Sequence, residues 1–183
     1  MNHCLLMRHG VTDLSGTFCG ATDPELNTAG RHQVSVAANA LKVSVDVIYS
    51  SPLRRALQTA EIFADKWRAK IVVRTELREI HFGVWESLTW KQIEKQYAEV
   101  AKEWMAHYPT GKIPGGEDYG DFLKRVKDEA AWLLEKSRTE NVFAVTHAGF
   151  MRTALQEISG LSSQKAYELT REYGSVIALD PAR

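Results

Sequence analysis

Short apolar runs alternate with longer amphipathic stretches along most of this 183-residue chain. A short apolar run bounded by polar residues is typical of a buried strand, whereas apolar residues spaced three and four apart are typical of a helix that packs on one face. On this basis we predict strands over residues 4–8, 45–49, 71–73, 141–146 and 175–179.

The stretches between these strands carry helix signals. Thr28 is a suitable N-cap for a helix that runs to about Leu41. Ser51-Pro52 is a strong start for the next helix, because Ser caps and Pro suits the first helical position. Further helices are predicted over residues 89–107, from Asp118 to about Lys136, and from about Gly149.

This order of elements indicates the fold class. Strands separated by helices imply a largely parallel sheet with right-handed crossovers and helices on its faces. We therefore predict an α/β three-layer sandwich, formed by a single domain over residues 1–183, with a mostly helical insertion at about 80–116. Residues 109–116 are rich in Pro and Gly and are expected to form a loop.

Composition and charge limit the classes of function. Lys plus Arg and Asp plus Glu each number 23, so bulk charge gives no support to a nucleic-acid partner. No apolar run approaches the length of a membrane span, and we expect no membrane partner. The start of the chain lacks the pattern of a secretory signal.

The cysteines favour a reducing compartment. Cys4 and Cys19 are the only cysteines, and Cys4 falls within a predicted buried strand, so we expect no disulfide framework. Two thiols without a paired-ligand pattern do not make a zinc site. We expect a cytoplasmic protein.

The candidate chemistry begins at Arg8-His9-Gly10, directly after the first predicted strand. Arg offers a planar fork of donors suited to phosphate oxygens, and His can act as a nucleophile through a ring nitrogen. Gly lets the backbone turn sharply and lets a ligand approach the main chain. This combination indicates a phosphate site with a covalent step.

A second histidine ends a strand in the same way. His147 follows the predicted strand over residues 141–146 and precedes Ala148-Gly149 at a helix start. Because the carboxyl ends of parallel strands meet at one edge of a sheet, we expect His9 and His147 to lie together. The remaining histidines lack such a placement and are interpreted as ordinary surface or core residues: His3, His32, His81 and His107.

Two further residues fit the same site. Arg55 lies in the first turn of the helix opened by Ser51-Pro52, where a helix N-terminus already favours anions. Glu79 is the candidate general acid, because its apolar neighbours favour the protonated form of a carboxyl group. Other carboxylates compete for that role: Glu76, Glu86 and Asp13.

The motifs resemble those of the histidine phosphatase superfamily, which includes the cofactor-dependent phosphoglycerate mutases. The resemblance spans nearly the whole chain, in order. It rests on Arg8-His9-Gly10, on Ser51-Pro52-Leu53-Arg54-Arg55-Ala56, on Leu77-Arg78-Glu79 with Phe82-Gly83-Val84-Trp85-Glu86, and on Val145-Thr146-His147-Ala148-Gly149.

The resemblance implies a phosphoglycerate mutase-like fold and a phosphomonoesterase that works through a phosphohistidine. His9 would be the nucleophile and Glu79 the proton donor, while Arg8, Arg55 and His147 would surround the phosphate. No metal or cofactor is expected, because arginines and histidines supply the positive charge. The substrate contacts carried over to this sequence are Arg8, Thr12, Ser15, Cys19, Arg55, His147 and Ala148.

Within the superfamily, residues 18–26 are similar to the corresponding stretch of α-ribazole phosphatases, which act on α-ribazole 5′-phosphate in cobalamin nucleotide-loop assembly. Some positions depart from the family pattern. Val11 and Ser15 stand where the family usually has Glu or Gln and Asn, which puts substrate contacts near this loop in doubt. Ser87 stands where Gly commonly follows the Trp-Glu pair.

Two alternatives to a phosphatase remain open. A mutase would have to keep the phosphohistidine intact until the phosphoryl group returns to a substrate, and the short insertion offers less cover against water. A non-catalytic phosphate-binding domain is the other alternative, hinted at only by Val11 and Ser15. We expect a small-molecule partner and either a monomer or a homodimer.

Overall fold

The computed structural model describes residues 2–182 and contains a five-stranded sheet. The strands lie in the spatial order β3-β2-β4-β1-β5. All neighbours pair in parallel except β5, which runs antiparallel to β1 at one edge. The strands are β1 (Cys4–Arg8), β2 (Val47–Ser50), β3 (Lys70–Val73), β4 (Val142–Thr146) and β5 (Val176–Ala178).

Helices cover both faces of this sheet. The helices are α1 (Thr28–Ala40), α2 (Arg54–Trp67), α3 (Trp90–Gln96), α4 (Ala98–Ala106), α5 (Tyr119–Ser137), α6 (Ala148–Glu157) and α7 (Ser163–Thr170). Residues of α1 and α2 pack on one face, and residues of α5, α6 and α7 pack on the other. The predicted three-layer α/β sandwich is confirmed. No helix within residues 2–182 is both long and apolar enough to cross a membrane.

The alternation of side chains along the central strand explains the two cores. In β4, Val142 and Ala144 face the α5 side, whereas Phe143 and Val145 face the α2 side. All four side chains are fully buried. A strand covered on both faces is apolar throughout, and this is why the strand was recognisable as a continuous apolar run.

Two helix starts differ from the sequence prediction. Asn27, not Thr28, caps α1, because its Oδ1 accepts a hydrogen bond from the Gly30 amide. Helix α2 begins at Arg54 with no side-chain cap. The Ser51 hydroxyl lies instead at the site described below, where it meets His147.

One predicted helix is divided in the structure. The helix expected over residues 89–107 is interrupted at Tyr97, which has φ −134° and separates α3 from α4. The helix predicted from about Gly149 is α6, and Gly160, at φ +66°, lies between it and α7, a helix for which no prediction was made. Only glycine adopts that left-handed conformation without a steric penalty.

A third, smaller core is formed mostly by residues that follow β3 and precede α5 along the chain. Trp85 is fully buried in it, together with Ile93 and Ala101, and Phe18 packs against it. The rings of Phe18 and Trp85 meet edge to face at 5.6 Å. Trp85 is therefore a core residue.

The cysteines within the structure are both free thiols. Burial, with a smaller effect from the negative charge of Asp180, raises the pKa of Cys4 to about 12. Cys4 is therefore an unreactive packing residue, because the thiolate is the reactive form of cysteine.

An ion pair between a partly exposed arginine and a buried carboxylate ties the end of β3 to α5. Glu129 is only 2% exposed, and its two oxygens accept hydrogen bonds of 2.6 Å from Nε and Nη2 of Arg74. The Arg74 guanidinium also lies 3.7 Å over the ring of Trp132. Removing the arginine would leave the carboxylate buried without its partner.

We predict that Arg74→Ala lowers the free energy of unfolding by about 3–5 kcal/mol, the usual effect of breaking a buried pair. The double variant Arg74→Ala/Glu129→Ala should lose less than the single variant, because no charge remains buried. Urea unfolding of both proteins measures this difference. A loss below about 1 kcal/mol in Arg74→Ala, the range of surface pairs, would contradict the prediction.

Candidate active site

The ends of neighbouring strands bring the two strand-terminal histidines together. Strands β1 and β4 pair with Arg8 opposite Thr146, so His9 and His147 leave the sheet side by side. Their ring centroids are 5.0 Å apart, and both side chains are buried. The structure thus brings together the pair that the sequence analysis placed at one sheet edge.

The hydrogen bonds of His9 fix its tautomer. Its Nδ1 lies 2.8 Å from the Gly10 carbonyl oxygen, which only accepts, so Nδ1 carries the proton. Burial, then the positive charges of Arg55 and Arg8, hold the pKa of His9 well below its usual 6.5. The neutral ring therefore has its lone pair on Nε2, and that nitrogen is the available nucleophile.

His147 is held by a serine hydroxyl. Its Nε2 lies 2.8 Å from Ser51 Oγ, and this oxygen also accepts from the Leu53 amide at 3.3 Å. The serine hydroxyl can donate to Nε2 or accept from it, and in the first arrangement the proton of neutral His147 is on Nδ1. Burial, followed by the charge of Arg55, lowers the pKa of His147 well below 6.5. Within residues 2–182, Nδ1 is buried without a partner.

Arg55 lies fully buried at the base of the site. Its Nε donates to His9 Nε2 at 3.3 Å. Its other nitrogens donate to the carbonyl oxygens of Cys19, Gly20 and Thr22 at 2.7–3.1 Å. Arg55 therefore supplies positive charge to the histidines and also anchors the loop over residues 19–22. Arg54 beside it is exposed and paired with Glu25.

Arg8 is held in place by carbonyl oxygens and an aromatic ring. Its Nη1 donates to the carbonyl oxygens of Thr170 and Arg171, at the end of α7. Its guanidinium lies 3.7 Å over the ring of Tyr173. The buried Nε has no partner within residues 2–182. Arg8 thus offers an unused donor to an anion beside His9.

These groups surround a cavity of about 220 Å³. Its walls include Arg8, His9, Thr12, Cys19, Glu79 and Ala148, all of them predicted site residues. His147 and Arg55 are buried beside it rather than lining it. Ser15 is exposed and does not line the cavity, so the structure does not bring that residue to the site.

Glu79 lies on the cavity wall and is only 8% exposed. Its Oε2 accepts from the Gly149 amide at 2.9 Å, and its Oε1 accepts from the Ile80 amide at 3.0 Å. A Cβ atom at position 149 would collide with Oε1, so Gly149 is required for this approach.

The competing carboxylates lie elsewhere. Glu76 is exposed, and Asp13 Oδ1 accepts a hydrogen bond from the side-chain Nδ2 of Asn27. Glu86 accepts from the amides of residues 20–22 and from Phe82. Burial alone would raise the pKa of Glu86, but these hydrogen bonds and one from Thr22 Oγ1 together lower it. Glu86 is therefore an ionised anchor for the loop, and Glu79 is the carboxyl group that faces the cavity.

The positions that depart from the family pattern have structural explanations. Val11 contributes its backbone: its carbonyl accepts from the Asn27 amide, and its main chain lies against Gly30. Ser87 adopts φ +65°, a left-handed conformation that favours glycine. Its amide donates to the Phe18 carbonyl and its hydroxyl to Thr22 Oγ1.

Sequence reasoning missed several residues of the site, among them Arg152, Tyr173 and Ser51. Arg152 and Tyr173 line the cavity, and Ser51 orients His147. Arg152 was detectable in principle, because it lies one helical turn after Ala148 and so shares its face of α6. Tyr173 lies in an irregular segment after α7, where no periodicity predicts a position.

We predict that His9 and His147 stay neutral as the pH falls through 6.5, because burial and Arg55 lower both pKa values. Titration of the ring signals by NMR in the free protein measures this directly. In Arg55→Gln both pKa values should move up towards 6.5. Either ring titrating near 6.5 in the unaltered protein would contradict this electrostatic picture.

Comparison with known proteins places this site in a family. The family model for the histidine phosphatase superfamily (branch 1) matches residues 4–183. A bifunctional protein of Mycobacterium tuberculosis is 31% identical over 176 residues, which cover 94% of this chain and 48% of that protein. The chain thus spans about half the length of such relatives.

Two other relatives carry phosphatase names. Phosphoserine phosphatase 1 of Hydrogenobacter thermophilus is 27% identical, covering 88% of this chain and 78% of its own length. The adenosylcobalamin/α-ribazole phosphatase of Escherichia coli K12 is 26% identical, covering 96% and 88%.

A solved structure supports the fold. The α-ribazole phosphatase of Shigella flexneri superposes with a TM-score of 0.80 at 24% identity, covering 97% of this chain and 96% of that one. Because the family model matches residues 4–183, this chain belongs to the histidine phosphatase superfamily.

Proposed function

We propose that this protein hydrolyses small phosphomonoesters through a phosphohistidine formed on His9. The observation that carries the proposal is the neutral His9 ring, whose lone pair lies beside unpartnered donors. Those donors are the Nε of Arg8 and, with the ring proton on Nδ1, the buried Nδ1 of His147. Phosphoryl transfer depends mostly on positioning and charge stabilisation, and this arrangement supplies both.

In the first step, the Nε2 lone pair of His9 attacks phosphorus. The bond between phosphorus and the ester oxygen breaks, and Glu79 gives its proton to the departing alcohol oxygen. Arg8, Arg55 and His147 stabilise the charge on the phosphoryl oxygens. The result is phosphohistidine, free alcohol and ionised Glu79.

In the second step, water attacks the phosphohistidine. Glu79 takes a proton from that water, the phosphorus–nitrogen bond breaks, and inorganic phosphate leaves. His9 regains its neutral form and Glu79 its proton, so the cycle closes. We propose that no metal ion takes part, because guanidinium and imidazole groups supply the positive charge.

For the substrate we propose α-ribazole 5′-phosphate. Support comes from the similarity of residues 18–26 to the α-ribazole phosphatases and from the E. coli relative with that name. Because the H. thermophilus relative is named a phosphoserine phosphatase, phosphoserine is the substrate to compare with α-ribazole 5′-phosphate. The free cysteines fit a cytoplasmic enzyme. We propose a monomer or homodimer that acts alone on this small molecule.

The direct test is hydrolysis of p-nitrophenyl phosphate by the pure protein in the presence of EDTA. His9→Asn should lose activity by at least about 10³-fold, because the nucleophile is removed. His32→Asn is the matched control, since His32 is exposed and outside the site. Undiminished activity of His9→Asn would reject the mechanism, and no hydrolysis by the unaltered protein would favour a non-catalytic binding domain.

The role of Glu79 has a separate test. Glu79→Gln keeps the size of the side chain but has no proton to give. We predict that kcat/KM falls about 10²- to 10⁴-fold for an alkyl phosphate, the usual contribution of a general acid. It should fall much less for p-nitrophenyl phosphate, whose leaving group departs as a stable anion. Equal losses for both esters would show that Glu79 does not protonate the leaving oxygen.

The mutase alternative predicts a different product. A mutase would accumulate acid-labile phosphate from a bisphosphoglycerate donor and return it to a phosphoglycerate. The phosphatase proposal predicts release of inorganic phosphate instead.

A further inference from the structure

A second cavity, of about 440 Å³, adjoins the phosphate cavity. The two share the side chains of Phe18, Phe82 and Arg152 and the backbone at Gly149 as walls. The rings of Phe18 and Phe82 pack edge to face at 5.1 Å, which gives this shared wall a defined shape. The larger cavity therefore starts where the phosphate cavity ends.

Glu79 lies on the side of the phosphate cavity that leads to the larger one. Its Oε2 accepts from the amide of Gly149, a residue common to both cavities. An acid protonates the ester oxygen that faces it, so the alcohol attached to that oxygen extends past Gly149. The larger cavity is thus placed to receive the leaving alcohol.

The lining of the larger cavity is strongly aromatic. Flat ring faces favour offset or edge-to-face contact with another planar ring. The cavity is also larger than a three-carbon alcohol such as serine or glycerate requires. Its aromatic walls are Phe18, Phe82, Trp104, Tyr108, Tyr119 and Phe122.

Among the described residues that line this cavity, Arg152 is the arginine, and it forms no ion pair. Glu117 is neutralised by Arg125, whose Nε and Nη2 donate to its two oxygens at 2.7 and 2.9 Å. Arg152 forms no ion pair within residues 2–182; its Nε donates to Thr170 Oγ1 at 3.0 Å. Its place on the shared wall makes it a donor to an oxygen close to the ester bond.

We propose that the larger cavity binds the leaving alcohol and selects phosphomonoesters whose alcohol carries a planar aromatic group beyond the ester. The inference rests on the proposed phosphomonoesterase activity and names the substrate class. Esters of small carboxylated alcohols, such as phosphoserine, make no contact with the aromatic walls and are poor substrates.

Tyr108 offers a clean variant for the test. It lines the larger cavity, packs edge to face on Trp104 at 5.0 Å, and is 64% exposed. Because most of its surface is in solvent, its removal should cost the fold little. Met105 is the matched control, since it lies on the neighbouring α4, is 53% exposed and does not line the cavity.

The substrates form a matched pair with the same ester bond. α-Ribazole 5′-phosphate carries an aromatic base on its ribose, and ribose 5-phosphate lacks that base. We expect kcat/KM to be at least about tenfold higher with the base, since a buried aromatic contact has this effect. Tyr108→Ala should lower kcat/KM about 5- to 30-fold for the aromatic ester only. Tyr108→Phe should retain the kcat/KM of the unaltered protein for the aromatic ester. Met105→Ala should change kcat/KM for neither substrate.

Three results would overturn the inference: equal kcat/KM for the matched pair, equal losses for both esters in Tyr108→Ala, or phosphoserine as the best substrate of the three. These outcomes are distinct from failure of the proposed function. If the proposed function itself fails, the unaltered protein will hydrolyse no ester of the set, including p-nitrophenyl phosphate.

Discussion

The parallel pairing of β1 with β4 is the constraint on which the site depends. The hydrogen-bonded ladder between β1 and β4 continues past the strand ends, where the His9 amide donates to the Thr146 carbonyl at 3.1 Å. On the other side of β4, the Ser51 amide donates to the Val145 carbonyl at 3.0 Å. A slip of one residue would turn each side chain to the opposite face of the sheet and separate the histidines.

The arginines of the site are held by carbonyl oxygens rather than by carboxylates. Arg55 is fixed by the carbonyls of residues 19–22, and Arg8 by those of Thr170 and Arg171. Neither forms an ion pair within the part of the chain that the structure describes. Their charge is therefore not cancelled, and it keeps His9 and His147 neutral while remaining available to an anion. A neutral imidazole beside two uncompensated guanidinium groups follows from this arrangement.

The sheet and the strand-end residues were predictable because their signals are local. Apolar runs marked the strands, and parallel topology placed His9 beside His147 at a common edge. The break at Tyr97 was not predictable, since apolar spacing continues across it while the backbone leaves the helix. The contacts of loop residues depend on tertiary structure, and this is why Ser15 was expected at the site and Tyr173 was missed.

The central claim is that His9 receives the phosphoryl group. Rapid mixing with phosphorus-labelled substrate, alkaline quenching and peptide mapping would locate any phosphorylated residue. We expect phosphohistidine at position 9, which forms and disappears within the catalytic cycle and is absent from the His9→Asn variant. Label on His147 instead, or turnover at full rate with no labelled histidine at any time point, would contradict it.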